Sequence, residues 1–178
     1  ENIVNGKVWP RNSYSGYKGW ITVRTAIQTS SNVVAVRVIN SIGYDTSRSF
    51  LEQLGITTVT DDDLNPAALG LGGMSKGLKP IESTGAFATI ASGGVYHKPT
   101  TINRILNKND EVIYDLSLNE TRQVFDEGTA YIMTDMLKGV VSGGTGGRAR
   151  LYAGNTTIPV AGKTGTTTNN YDAWFCGY

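Results

Sequence analysis

The sequence predicts an α+β fold, with an antiparallel sheet packed with helices, on three observations. An amphipathic helix follows Asp126, where Met133, Met136, Leu137 and Val140 recur at helical spacing. Two pairs of strand-like segments are each joined by turn residues: 101–106 with 111–115 across Asn107-Lys108-Asn109-Asp110, and 158–166 with 172–178 across residues 167–171. Glycine supplies 22 of the 178 residues, more than the ~7% of average usage, so tight turns and close backbone approaches are frequent.

A chain of 178 residues suits one domain, or a large part of one, and can bury a real core. With 39% hydrophobic and 17% charged residues it reads as globular rather than disordered. The formal net charge of +1 is spread along the chain, which excludes the basic footprint of a nucleic-acid binder. No apolar run approaches the ~20 residues of a membrane helix. The single Cys176 has no partner for an internal disulfide and no companion ligands for a metal. The chain opens on Glu1 without an initiator Met or a signal peptide, which reads as a cut in a longer protein.

Taken in order, residues 1–20 are rich in Gly, Ser, Asn and aromatics and predict an irregular surface segment. A helix begins near Thr22, with Val23, Ala26 and Ile27 on one face, and breaks at Thr29-Ser30-Ser31-Asn32. The run Val33-Val34-Ala35-Val36-Arg37-Val38-Ile39 is apolar almost all round, as a buried helix is, although a strand fits it too. Asp45 is placed to cap a short helix through Phe50, Leu51 and Leu54, stopped by Gly55. Asp61-Asp62-Asp63 reads as a solvated loop, since no calcium-loop spacing follows. Pro80 suits a first helical turn, and Ile81 to Ala91 continues as a helix of small residues. The helix capped by Asp126 ends in Gly143-Gly144-Thr145-Gly146-Gly147. The last strand reaches Tyr178 with no turn chemistry after it, so further strands are expected beyond it.

Two short patterns carry chemistry. On a strand, Lys163 and Gly165 of Lys163-Thr164-Gly165-Thr166 point one way, and Thr164 and Thr166 the other. Gly165 removes a side chain where a ligand backbone can lie along the strand edge. Such an edge binds an extended peptide by strand addition, with hydroxyls and an ammonium to grip a carboxylate. The second pattern is Ser30-Ser31-Asn32, whose hydroxyl and amide either project into a cleft from a turn between helices or cap the helix that follows. Lys163 alone reads as a solvated strand lysine, His97 as a loop residue, and Cys176 as a small packing residue.

Together these patterns resemble two of the three motifs shared by penicillin-binding proteins and class A β-lactamases: Ser-x-x-Lys, Ser-x-Asn and Lys-Thr-Gly. Further landmarks, in order, are similar to the transpeptidase domain of class A, bifunctional penicillin-binding proteins. They are Gly19-Trp20-Ile21-Thr22-Val23-Arg24-Thr25-Ala26, Ala68-Leu69-Gly70-Leu71-Gly72-Gly73, Gly93-Gly94-Val95-Tyr96-His97-Lys98-Pro99, Gly143-Gly144-Thr145-Gly146 and Asp172-Ala173-Trp174-Phe175-Cys176-Gly177-Tyr178. The resemblance implies that residues 1–178 are a C-terminal, partial transpeptidase domain of the serine transpeptidase/β-lactamase-like fold. It lacks the upstream Ser-x-x-Lys helix and the final strands. The only Ser-x-x-Lys here, Ser15-Gly16-Tyr17-Lys18, lies too close to Ser30 and has no apolar helix behind it, so the nucleophile is expected upstream of Glu1.

The resemblance implies acyl transfer at D-Ala-D-Ala stem peptides of peptidoglycan, with β-lactam antibiotics acylating the same serine and no metal or organic cofactor. It assigns Ser30 to proton relay, Asn32 to the substrate amide and Lys163 to positive potential and to orienting Ser30. Thr164 and Thr166 hold the carboxylate, Gly165 keeps the edge open, and the Thr166 N–H forms half of an oxyanion hole. The implied partners include the remainder of the same domain. The implied location is the extracytoplasmic face of the bacterial cell membrane, anchored by a segment outside this chain. Two alternatives stay open: a class A β-lactamase, disfavoured because position 31 is Ser and Asp172-Ala173-Trp174-Phe175 fits transpeptidases better, and a catalytically silent peptidoglycan or β-lactam sensor of the same fold.

Overall fold

A computed structural model of the protein describes residues 2–4, 7–16, 18–118, 121–153 and 156–178. Glu1, read above as a cut, and Tyr17 of the Ser15–Lys18 tetrapeptide lie outside the described residues. The chain opens with two three-residue antiparallel strands, β1 (Asn2–Val4) and β2 (Lys7–Trp9), with Asn2 opposite Trp9. They correct the expectation of a wholly irregular start, because a three-residue strand is too short to show alternation. From Pro10 to Thr22 the described residues form neither helix nor strand.

Helix α1 (Val23–Thr29) starts at Thr22, whose hydroxyl accepts the Thr25 N–H at 3.2 Å. It ends at Ser30 in the left-handed region (φ 55°, ψ 54°), and α2 (Asn32–Ile42) begins two residues on. The run expected to be buried all round is a helix, but only Val36 is buried, and Val38 and Ile42 are 40% and 47% exposed. Its neighbours α1, α3 (Tyr44–Gln53) and α4 (Pro66–Leu71) account for the covered surface. Helix α3 is entered through Gly43, so Asp45 does not cap it. Asp45 lies in the first turn, where its charge opposes the positive helix end.

Asp61–Asp63 forms a 3₁₀ turn, and here the solvated-loop reading fails for Asp63, which is 1% exposed. Its carboxylate accepts the Ser75 N–H (2.7 Å), the Thr60 N–H (2.9 Å) and both hydroxyls, from Thr60 (2.9 Å) and Ser75 (3.2 Å). These donors replace water. The Ser75 and Thr60 N–H groups hold the acid down at about 2. Asp61 instead pairs with Arg48 at 2.6 Å. Among the described residues no cluster of His, Cys, Asp or Glu is arranged to hold a metal ion.

Helix α5 (Pro80–Ala91) carries Pro80 at its first position. Strand β3 (Val95–His97) follows, then the hairpin β4 (Arg104–Leu106) and β5 (Val112–Asp115), then β6 (Thr121–Gln123), which returns to pair antiparallel with β3. His97 therefore sits on a strand rather than a loop. Asp126 caps α6 (Glu127–Gly143), accepting the Thr129 N–H at 2.8 Å. Ala130, Leu137, Val140 and Val141 of α6 are buried, and α6 packs against α1, α5 and residues 162–166, one of the strands that close the chain.

Those strands are β7 (Leu151–Ala153) with β8 (Thr156–Ile158), and β9 (Gly162–Thr166) with β10 (Ala173–Gly177), each pair antiparallel. The single strand expected over 158–166 is divided. Pro159 has no N–H to extend a ladder, so Ile158 closes one strand and Gly162 opens the next. Reciprocal bonds between Ala161 and Tyr178 (2.8 and 2.9 Å) add one further pair to the β9–β10 ladder. The result is an α+β fold in which antiparallel sheets pack against helices. Among the described residues the sheets are five separate pairs.

Candidate active site

The corner between α1 and α2 and the strand β9 meet through one hydrogen bond. Lys163 Nζ donates to Ser30 Oγ at 2.8 Å, joining residues 133 apart in the chain. It also donates to the Thr164 carbonyl at 2.8 Å, which fixes its direction. An ammonium donates only, so Ser30 Oγ is the acceptor and keeps its own proton. Among the described residues nothing accepts that proton. Burial holds the Lys163 ammonium below the usual lysine range.

Ser30 is the C-cap of α1, and its hydroxyl bonds Lys163 rather than capping α2. At the start of α2 it is Asn12 whose side-chain oxygen accepts, from Val33 N–H (3.3 Å) and Ser31 Oγ (3.2 Å). That acceptor comes from a residue 21 positions from Val33, and sequence proximity carries no signal for it. Asn32 is the first residue of α2, and its Nδ2 donates to the Arg11 carbonyl at 2.7 Å. The carbonyl partner fixes the amide orientation. The Asn32 side-chain oxygen has no donor among the described residues.

Beside Lys163 runs a groove of about 920 Å³, floored by β9 from Lys163 to Thr166 and walled by Leu78, Phe87, Trp174 and Phe175. A Cβ built on Gly165 meets no atom within 4 Å, so the face over it is open, and among the described residues β9 pairs only with β10, which leaves its other edge free. The turn beyond it is closed by Thr167 N–H to the Asp172 carbonyl (3.1 Å) and by Asp172 N–H to the Thr167 hydroxyl (2.8 Å). Thr166 is exposed, and Thr164 is half-buried with its hydroxyl 2.6 Å from that of Thr145. Cys176, opposite Lys163 in the ladder, is not simply packed: it lines the groove with Sγ 3.5 Å from Ser83 Oγ. His97 faces a separate cleft of about 580 Å³.

Ser15 and Lys18 form no such pair. Both are exposed in non-helical backbone, and the Lys18 ammonium lies 4.8 Å from the Tyr14 ring centroid. The site thus offers an oriented ammonium, a hydroxyl with a free proton and an open strand edge; the groove lining includes Lys163 but neither Ser30 nor Asn32, and among the described residues the Asn32 side chain bonds only Arg11. It can grip an anionic peptide end and deliver a proton beside it. Within the described residues it holds no activated nucleophile.

Residues 2–178 match the family described as the penicillin binding protein transpeptidase domain. Penicillin-binding protein 1A of Clostridium acetobutylicum is 36% identical over 169 residues, covering 94% of this chain and 20% of that protein. Penicillin-binding protein 1F of Bacillus subtilis is 39% identical over 179 residues, covering 97% of this chain and 24% of that protein. The chain therefore spans a fifth to a quarter of the length of these relatives. Among solved structures, the D,D-transpeptidase domain of a peptidoglycan glycosyltransferase from Eggerthella lenta superposes with TM-score 0.69 at 28% identity, over 91% of this chain and 46% of that one. Penicillin-binding protein 1A from Haemophilus influenzae shares the fold, with TM-score 0.76 at 21% identity over 95% of this chain and 30% of that one.

Proposed function

The chain belongs to the penicillin-binding protein transpeptidase family, and we propose that it forms part of a peptidoglycan D,D-transpeptidase acting by serine acyl transfer on D-Ala-D-Ala stem peptides. The observation that carries this reading is the 2.8 Å bond from Lys163 Nζ to Ser30 Oγ. It aims a donor-only cation at a hydroxyl whose proton stays available, which is what protonation of a leaving amine requires.

In the proposed reaction a serine of a Ser-x-x-Lys helix, supplied outside these residues, attacks the carbonyl carbon of the penultimate D-Ala, its proton passing to the lysine of that helix and on to Ser30 Oγ as Ser30 gives up its own. The peptide C–N bond breaks, and the leaving nitrogen takes a proton from Ser30 Oγ. Lys163, hydrogen-bonded to that oxygen, stabilises the negative charge that develops as the proton leaves. An amine of a neighbouring strand then resolves the ester and forms the cross-link. The Asn32 side-chain oxygen accepts a substrate N–H, since its nitrogen is held by Arg11. Thr164 and Thr166 bind the terminal carboxylate, the Gly165 edge lets the peptide main chain lie close, and the Thr166 N–H serves the oxyanion. β-Lactams enter the same reaction because they carry a carboxylate beside a strained amide.

The parent protein, on this reading, also carries a glycosyltransferase domain and is held on the extracytoplasmic face of the cell membrane by a segment outside this chain. Among the described residues no helix is long and apolar enough to cross a membrane. The test uses the longer, serine-bearing protein and a fluorescent penicillin. Asn32→Ala should slow acylation about tenfold or more while lowering stability only by about 0.5–1.5 kcal/mol, the value of one ordinary hydrogen bond. Acylation at the wild-type rate would leave Asn32 a mere tie to Arg11 and defeat the assignment.

A further inference from the structure

Thr145 has no part in the chemistry above, yet it touches both halves of the site. Its hydroxyl lies 2.6 Å from Thr164 Oγ1 on β9, and its N–H donates at 3.2 Å to the carbonyl of Gln28, two residues before Ser30. Glycines make this approach possible. A Cβ on Gly144 would collide with the Gln28 carbonyl oxygen and stand 2.9 Å from the Val140 carbonyl oxygen. One on Gly146 would stand 3.2 Å from Val140 Cγ1. Free of side chains on either flank, the segment after α6 lies against the end of α1 and holds Thr145 behind Thr164, off the lining of the groove.

Two hydroxyl oxygens at 2.6 Å share one proton, and either can be its donor. If Thr164 donates to Thr145, its lone pairs face the groove and repel an anion. If Thr145 donates, the Thr164 proton is free to point into the groove. A carboxylate accepts only, so it selects the second arrangement and polarises the chain from Thr145 through Thr164 to its own oxygen. We propose that Thr145 is a positioning residue for the terminal carboxylate of the peptide donor, acting by donating to Thr164 so that the Thr164 proton is aimed at that carboxylate. This rests on the acyl-transfer reading for the identity of the ligand.

The experiment uses the longer, serine-bearing protein and two probes, a peptide ending in D-Ala-D-Ala with a free carboxylate and the same peptide as its C-terminal amide. Binding of both is measured by calorimetry, and acylation by fluorescent penicillin is followed separately. Thr145→Val keeps the shape without the hydroxyl. It should lower affinity for the carboxylate peptide about tenfold, the scale of one hydrogen bond to a charged group, and leave the amide unchanged. Thr145→Ser should restore the preference. An equal loss for both peptides means the loop is merely structural and overturns the proposal, as does an unchanged ratio or a wild type without carboxylate preference. A wild type that prefers the carboxylate but is never acylated defeats the acyl-transfer reading alone.

Discussion

In the proposed reaction Lys163 is the residue on which the chemistry turns, and its setting makes a prediction about pH. Burial penalises the charged form, so the ammonium loses its proton at a lower pH than an exposed lysine. The sign for stability follows. The unfolded chain holds that proton up to ~10.4, while the folded one releases it earlier, so this group's contribution to stability becomes less unfavourable as pH rises through that window. For function the effect runs the other way, because the charge that steadies Ser30 is lost over the same window. The acylation rate of the longer protein should therefore fall on the alkaline side below the ordinary lysine range. Lys163→Arg, which stays charged to beyond pH 12, should abolish that limb even where it slows the reaction. A limb unchanged in Lys163→Arg would assign it to another group. At this scale the spellings Ser30-Ser31-Asn32 and Lys163-Thr164-Gly165 were legible because each is local. What could not be read was how their polar atoms are occupied. The Asn12 oxygen that accepts at the start of α2, the Arg11 carbonyl that orients Asn32 and the Thr145 hydroxyl behind Thr164 all come from elsewhere in the chain.

Among the elements, helices with a polar cap and a regular apolar face were legible. Thr22 and Asp126 cap α1 and α6 with their own oxygens. Errors arose both from near neighbours and from long-range partners. Asp45 lost the capping position to Gly43, Pro159 cut the strand read over 158–166, and the apolar run of α2 proved covered on one side. The acidic run is the sharpest case, since three aspartates in a row read as solvent-facing until the Ser75 N–H is brought to Asp63 from 12 residues away. That contact ties the loop before α4 to the loop before α5, whose wall lines the groove. Asp63 titrates at about 2, below the ordinary ~3.9 of an aspartate. A depressed folded value means its stabilisation is complete above ~3.9 and is lost as pH falls through about 2. Asp63→Asn should lower the thermal midpoint at neutral pH, because the new amide presents donors to donors, and should flatten the fall in midpoint between pH 4 and 2. Midpoints measured across that range check both. A variant as acid-sensitive as the wild type would place the titration elsewhere.

At the scale of the whole molecule the site has a recognisable floor and one side. Helices α5 and α6 back the β9–β10 pair, the α1–α2 corner brings Ser30 to Lys163, and the groove beside them is open. Its apolar rim stays wet: Leu78 is 45% exposed, Trp174 53% and Phe175 39%. In the proposed reaction these residues would supply proton relay, carboxylate recognition and half of an oxyanion hole, and each of those functions assists a nucleophile without being one. Ser30 is the hydroxyl best placed for chemistry, yet its neighbour is a donor-only ammonium, which cannot take its proton while charged. Ser15 has a lysine three positions on. However, Gly16 and Gly19 stand at φ +76° and +63°, outside helical backbone, and Lys18 is turned over the Tyr14 ring. No rigid face holds Ser15 and Lys18 together. The 178 residues expressed by themselves should therefore form no covalent adduct with a fluorescent penicillin, as read by intact mass. The longer protein, carrying a helical Ser-x-x-Lys, should take up one equivalent, and digestion should map it to that serine. Stoichiometric label on Ser15, Ser30 or any other residue of this chain would show that these residues contain their own nucleophile, and the division of labour drawn here between floor and serine would have to be abandoned.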